Sequence, residues 1–230
     1  MNIKHIFFDL DRTLWDFEKN SYKTLLQLID EFELIKRGVD TPEDFINKYK
    51  IHNEKLWVLY REGKITKENL RVKRFFMVLD EYGISDIDLA DSFGKEYIRQ
   101  SPLKTELIPF SIKILKYLSD KYQLHIITNG FNEVQFIKLD SSGLKEYFDV
   151  IVTSEQVGVN KPDARIFNYA LNQAKAKAEE SIMIGDNLSI DILGARKVGM
   201  HSVYFNPNMK KHNKEIVHEI SCLSELMNLL

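Results

Sequence analysis

A chain of 230 residues with a formal net charge of -2 and an isoelectric point of about 6.3 has no electrostatic footprint for gripping duplex nucleic acid. Its 44% hydrophobic and 29% charged residues suit a globular protein with a substantial core, either one domain or one domain carrying an insertion. The single cysteine, Cys222, excludes an internal disulfide framework, and no stretch is long and apolar enough to span a membrane.

The first apolar run, Ile6-Phe7-Phe8, reads as a strand buried on both faces, as in a covered parallel sheet. A strand at this position, without a basic region followed by an apolar helix, is not a signal peptide, so a cytoplasmic location is the default expectation. The run ends in Asp9-Leu10-Asp11. Leu14-Trp15-Asp16-Phe17-Glu18 then reads as a short connection, over a pocket mouth or in a hinge. From about Asn20 to about Gln100 the pattern is helical throughout. Thr41-Pro42-Glu43-Asp44 is a helix start, Gly63 a stop, Thr66 a second start, Gly83 a second stop, and Ser85 the expected cap of a fourth helix. Beyond Leu107 strands alternate with helices: helix 112–118, strand 124–127, helix 133–139, strand 148–152, helix 163–178, strand 181–184, helix 190–197 and a last strand 202–205. Alternation of this kind predicts a parallel sheet with crossover helices. The expected architecture is therefore an α/β, Rossmann-like three-layer core interrupted after its first strand by an all-helical, four-helix insertion. The expected boundaries are 1–16 with 102–230 for the core and 17–101 for the insertion.

Polar residues gather where the strands end. In open parallel sheets ligands bind at the carboxyl ends of the strands. Asp9 and Asp11 end the first strand, Thr128-Asn129-Gly130 the second, and Gly185-Asp186 the fourth; Lys161 follows the third, and Asp191 opens the next helix. Taken singly, each has an ordinary reading: a turn, a surface lysine, a helix-capping acid. Taken together they are clustered carboxylates, which suit Mg²⁺, beside a hydroxyl, an amide and an ammonium, which suit phosphoryl oxygens. That combination points to Mg²⁺-dependent phosphoryl transfer through an aspartyl-phosphate.

The spacing of Asp9-Leu10-Asp11-Arg12-Thr13, Thr128, Lys161-Pro162-Asp163 and Gly185-Asp186 with Asp191 resembles the four motifs of haloacid-dehalogenase-type hydrolases, in that family's order. The resemblance implies that Asp9 is the nucleophile and Asp11 the general acid, then the base. It implies that Thr128 and Lys161 bind the phosphoryl group, and that Asp186 binds Mg²⁺ with Asp9 and the backbone carbonyl of Asp11, Asp191 supporting. Arg12 departs from the pattern, since much of the family has glycine there; its side chain is expected to point to solvent. The helical insertion looks like the family's cap. Leu14-Trp15-Asp16-Phe17 and the segments around Asn53, Trp57 and Arg74 resemble the bacterial pyrimidine 5'-nucleotidases of the family, which makes those three residues candidates to face the substrate. Trp57 in the helical core and Arg74 at the surface are the ordinary alternatives. The implied partner is a small phosphomonoester, most simply a nucleoside monophosphate, with no nucleic acid or membrane partner and a monomeric or homodimeric state. A phosphatase or phosphomutase for sugar phosphates or phosphoglycolate-like compounds is the alternative within enzymes. A silent binding protein of the same fold is the alternative outside them.

Overall fold

The computed structural model describes residues 2–230, which divide into two compact units, 2–17 with 105–230 and 18–104. The first unit is built on one parallel sheet of six strands: β1 (His5–Phe8), β2 (Gln123–Thr128), β3 (Val150–Thr153), β4 (Ser181–Gly185), β5 (His201–Phe205) and β6 (Glu219–Ile220). Their order is β3-β2-β1-β4-β5-β6, with every neighbouring pair parallel. Thus β1 is central, and the order reverses between β1 and β4, which is where a crevice forms at the carboxyl ends of a doubly wound sheet.

The central position explains the composition of β1. Ile6 and Phe8 point into one core cluster, with Ile114, Leu118 and Leu139, while Phe7 points into another, with Ile166 and Phe167. All three strand residues are fully buried, and each such side chain contributes on the order of 2 kcal/mol by leaving water.

The helices that follow are α1 (Phe17–Glu31), α2 (Pro42–Arg61), α3 (Lys67–Asp80) and α4 (Ile87–Gln100), then α5 (Ser111–Ser119), α6 (Asn132–Ser141), the single turn α7 (Ser154–Val157), α8 (Ala164–Gln173), α9 (Leu193–Lys197) and α10 (Leu226–Leu229). Helices α5, α6 and α10 contribute to the cluster on one face of the sheet, and α8 and α9 to the cluster on the other, which makes the three-layer core. The second unit consists of α2, α3, α4 and nearly all of α1, around Leu25, Leu28, Phe45, Tyr49, Phe75 and Phe93. Thr41 and Thr66 cap α2 and α3 as their sequences require, each side chain accepting a backbone N–H three residues on.

Several expectations need correction. The cap of α4 is Asp86, whose carboxylate accepts the Leu89 N–H at 2.9 Å; the Ser85 hydroxyl is spent on Asp80 instead. Helix α8 runs from Ala164 to Gln173, within the expected 163–178, and starts one residue late because Asp163 is its N-cap. The segment expected as one helix over 190–197 starts as a π-helical turn, Leu188–Ile192. Strand β6 was not expected, since two paired residues carry no periodic signal. Within the connection 14–18, Trp15 is fully buried in the sheet unit's core. Among the described residues no helix is long and apolar enough to cross a membrane.

A buried histidine pair crosses the sheet between β1 and β2. His5 Nδ1 lies 3.1 Å from His125 Nε2, and the His125 ring packs 4.6 Å from Phe7. Burial, then the neighbouring His5, pushes His125 down to about 4. Above pH 6.5 both folded and unfolded forms are neutral and the pair has no pH effect. Between pH 6.5 and 4 the unfolded chain takes up a proton that the folded chain refuses, so stability falls by on the order of 3 kcal/mol. Denaturant unfolding at pH 7 and pH 4.5 should show a loss in the wild type that is smaller in His125→Phe. An identical loss in both would show that His125 is not the titrating group.

Candidate active site

The strand tips of β1, β2 and β4 and the loop after β3 converge on one set of side chains. Asp9 follows β1 and is 7% exposed; its backbone N–H donates to the Ile184 carbonyl of β4 at 2.9 Å, which locks it to the neighbouring strand. Lys161 is buried beside it. The ammonium donates to Asp9 Oδ1 at 2.7 Å and to the Ile127 carbonyl at 2.7 Å, and lies 2.7 Å from Asp191 Oδ1. The contact with Asp191 is an ion pair rather than a directed hydrogen bond, so that oxygen has no hydrogen-bond partner of its own. Asp191 Oδ2 accepts the Asn187 N–H at 3.0 Å. This packing needs glycine before Asp186, because a Cβ on Gly185 would fall 2.5 Å from Asp191 Oδ2.

Asp186 sits at the tip of β4. Its carboxylate, with those of Asp9 and Asp191, offers oxygens that all lie within 4.8 Å of one another. Burial first, and then the other two charges, pushes Asp186 up to about 8, against the pull of Arg12 and Lys161. Asp9 is pushed up to about 7, again first by burial, with Lys161 opposing and Asp191 adding. Three half-compensated carboxylates with only one buried ammonium among them carry a charge deficit. A divalent cation with oxygen preference would fill it, and Asp186, with no hydrogen bond of its own among the described residues, presents an uncommitted ligand. The donor set fits Mg²⁺ in chemistry and in charge.

The remaining sequence candidates fall around this set. Thr128, at the end of β2, is buried; its hydroxyl oxygen accepts from the Gly130 N–H at 3.1 Å and from Gln135 Nε2 at 2.6 Å. Asn129 does not present its side chain to a ligand. Its amide brackets the Lys161 backbone, Nδ2 donating to the Lys161 carbonyl at 3.0 Å and Oδ1 accepting its N–H at 2.7 Å. A residue expected at the phosphoryl group is therefore a holder of Lys161, because both polar ends of its amide are already satisfied. Thr13 donates to Asp9 Oδ2 at 3.3 Å, a contact not anticipated.

Asp11 stands outside the three-carboxylate cluster, with its side chain turned to Lys138 and Gln135 of α6. The intervening Arg12 adopts φ 67, the left-handed region that favours glycine. Its guanidinium lies 4.6 Å over the Phe17 ring and its charge reaches Asp186, so the expectation of a solvent-facing side chain does not hold.

The three candidates of the helical unit separate. Asn53 and Arg74 are buried, and Asn53 Oδ1 accepts from Arg74 Nη1 at 3.4 Å. The Arg74 guanidinium lies 5.0 Å from the Phe75 ring centroid and 4.9 Å from that of Tyr97; among the described residues it meets no carboxylate, and its Nε has no partner. Arg74 is thus not the surface residue that was its alternative. Trp57 is only half-buried, edge-to-face with Tyr60, and lies outside the helical core.

Comparison with known proteins places the fold in a family. The model of the family described as haloacid dehalogenase-like hydrolase matches residues 6–205. The HAD-hydrolase YfnB of Bacillus subtilis is 31% identical over 98% of this chain and 94% of its own. The magnesium-bound crystal structure of YfnB superposes with a TM-score of 0.89 at 30% identity, covering 100% of this chain and 99% of that one. The pyrimidine 5'-nucleotidase YjjG of Escherichia coli is 33% identical over 98% of this chain and 96% of its own. The glyceraldehyde 3-phosphate phosphatase of Methanothermobacter thermautotrophicus is 30% identical over 98% of this chain and 100% of its own. With motifs, fold and relatives in agreement, the chain belongs to the haloacid dehalogenase-like hydrolase family.

Proposed function

We propose that the protein is a Mg²⁺-dependent phosphomonoesterase working through an aspartyl-phosphate on Asp9. The observation that carries this reading is the pairing of a buried Asp9–Lys161 contact with a second carboxylate, Asp11, two residues on and outside the metal-suited cluster. A hydrolase of carbon–halogen bonds has no need of an acid at that second position. Asp9 attacks phosphorus and the bond to the ester oxygen breaks. Asp11 gives its proton to that oxygen, then takes one from the water that attacks the aspartyl-phosphate and releases Asp9 and phosphate. Lys161 and Thr128 hold the phosphoryl oxygens. Asp9, Asp186 and the Asp11 carbonyl would hold Mg²⁺, with Asp191 in support; the bound ion supplies neutralisation of the charge on the phosphoryl group.

For the substrate, the reading is a 5'-nucleotidase acting on pyrimidine nucleoside monophosphates. Its support is the likeness to YjjG across nearly the whole chain and the presence, in the helical unit, of Arg74 without a carboxylate. Asn53, Trp57 and Arg74 are proposed to choose the leaving group as the residues of a cap. A sugar- or triose-phosphate phosphatase is the second reading, favoured by the comparable likeness to the glyceraldehyde 3-phosphate phosphatase. Phosphate release should be measured over UMP, CMP, dTMP, purine monophosphates, glyceraldehyde 3-phosphate and hexose phosphates. A preference of at least about tenfold in kcat/KM for the pyrimidine nucleotides is expected. Preference for a triose or hexose phosphate would overturn the nucleotidase assignment and leave the phosphatase intact. Chelation with EDTA should silence all of these activities and Mg²⁺ should restore them; turnover unaffected by chelation would contradict the carboxylate cluster as a metal site.

A further inference from the structure

Asp11 is held by a device that the family motifs do not include. Both of its oxygens turn to one face of α6, where Gln135 and Lys138 lie one turn apart and so point the same way. Lys138 Nζ lies 2.5 Å from Asp11 Oδ1, and Gln135 Nε2 donates to Asp11 Oδ2 at 2.9 Å. The same Gln135 Nε2 donates to Thr128 Oγ1 at 2.6 Å. Thr128 Oγ1 therefore accepts two hydrogen bonds, one from Gln135 and one from the Gly130 N–H, and its own proton is left to be donated elsewhere.

Neither α6 residue is there as a solvated surface group. Gln135 is 0% exposed and Lys138 5% exposed. The Lys138 ammonium is supported from below by Trp15, 4.3 Å from its ring centroid, which gives the buried indole a use beyond packing. Gly130 makes room for the amide, since a Cβ there would fall 2.1 Å from Gln135 Nε2. Gln135 Oε1, by contrast, is buried with no partner. An orphaned amide oxygen is a cost that a leucine of similar volume would avoid. What the glutamine provides in exchange is its NH₂ group, shared between Asp11 and Thr128.

We propose that Gln135 and Lys138 are positioning residues for phosphoryl transfer. Lys138 and Gln135 together aim the Asp11 carboxyl at the leaving oxygen, and Gln135 directs the Thr128 proton to the phosphoryl group. The proposal rests on the reading of Asp9 and Asp11 given above. It predicts a dependence on the leaving group. An alkyl phosphate must expel an alkoxide and needs a correctly aimed acid; p-nitrophenyl phosphate expels a stable phenolate and needs it far less.

The test measures kcat/KM of the full chain with Mg²⁺ for glycerol phosphate and for p-nitrophenyl phosphate. Lys138→Met should lower the alkyl-to-aryl ratio by about 30-fold or more, and Lys138→Arg, which keeps the charge and donors, should recover most of it. In an Asp11→Asn background Lys138→Met should change the ratio no further. Gln135→Leu should lower the ratio too and, through Thr128, weaken inhibition by inorganic phosphate by about tenfold. A merely structural role would lower both substrates together and leave the ratio constant, which overturns the proposal. A rise in turnover on Lys138→Met would also overturn it, by showing that α6 holds Asp11 away from its work. Should Lys138→Met not fold, Gln135→Leu against Lys138→Arg decides by the same ratio. Full turnover in Asp9→Asn would instead bring down the phosphatase reading itself, so the two failures are distinct.

Discussion

Asp9→Asn is expected to reduce phosphate release from a phosphomonoester by at least about a thousandfold while leaving the protein folded. The loss follows from chemistry: an amide oxygen does not attack phosphorus and no acyl-phosphate forms. Retention of the fold follows from the surroundings. Burial raises Asp9 to about 7, so its charge is carried at a cost that the nearly isosteric, neutral Asn does not incur. Lys161 keeps its contact with Asp191 and its hydrogen bond to the Ile127 carbonyl, so removing one carboxylate does not strand the ammonium. Phosphate release and thermal unfolding on the same preparation check both halves. Full activity in a folded variant would remove Asp9 as the nucleophile. A variant that unfolds would show that the Asp9 charge is needed for the fold.

Lys161→Met should have the largest combined effect, on stability and on turnover. The Lys161 side chain is 1% exposed and is the one buried cation described between Asp9 and Asp191. Burial works to lower the proton affinity of the ammonium; the charges of Asp191 and Asp9, and the hydrogen bond to Asp9, outweigh it and hold the group protonated. Deleting the charge leaves two buried carboxylates facing each other without compensation, which costs about 3–5 kcal/mol. Phosphate binding and transition-state charge balance go with it, so turnover should fall by a further factor of at least about 10². Asn129 holds the Lys161 backbone through two hydrogen bonds, and Asn129→Leu should therefore show a weaker form of the same phenotype. Unfolding by denaturant with Mg²⁺ absent, and kcat with Mg²⁺ saturating, separate the two effects. An unaltered stability would mean that Asp9 and Asp191 find another partner.

Much of this architecture was legible in the chain itself. Ile6-Phe7-Phe8 marked a strand covered on both faces because only a central strand can hide every side chain, and Thr41-Pro42 and Thr66 marked helix starts because an N-cap is a local hydrogen bond. The failures were equally physical. Ser85 and Asp86 are adjacent and both cap well; which one does so was settled by Asp80, whose carboxylate took the serine. Strand β6 exists through pairing with β5, not through any pattern in Glu219-Ile220.

For the site, the sequence by itself singled out the candidates: Asp9, Asp11, Thr128, Lys161, Asp186 and Asp191 resemble the family's motifs in order, and Asp9, Thr128 and Asp186 stand where apolar strand runs end. Their spatial grouping was decided only by the tertiary structure. Three aspartates gather and the fourth does not. Asn129 turns to Lys161 rather than to a ligand, and Gln135 and Lys138, which read as unremarkable polar positions on a helix, reach Asp11 from more than a hundred residues away in the chain. Motifs are legible because strand ends impose a residue type. Hydrogen-bond partners are not, because direction and distance between side chains are set by how the sheet orders its strands and how α6 packs beside them.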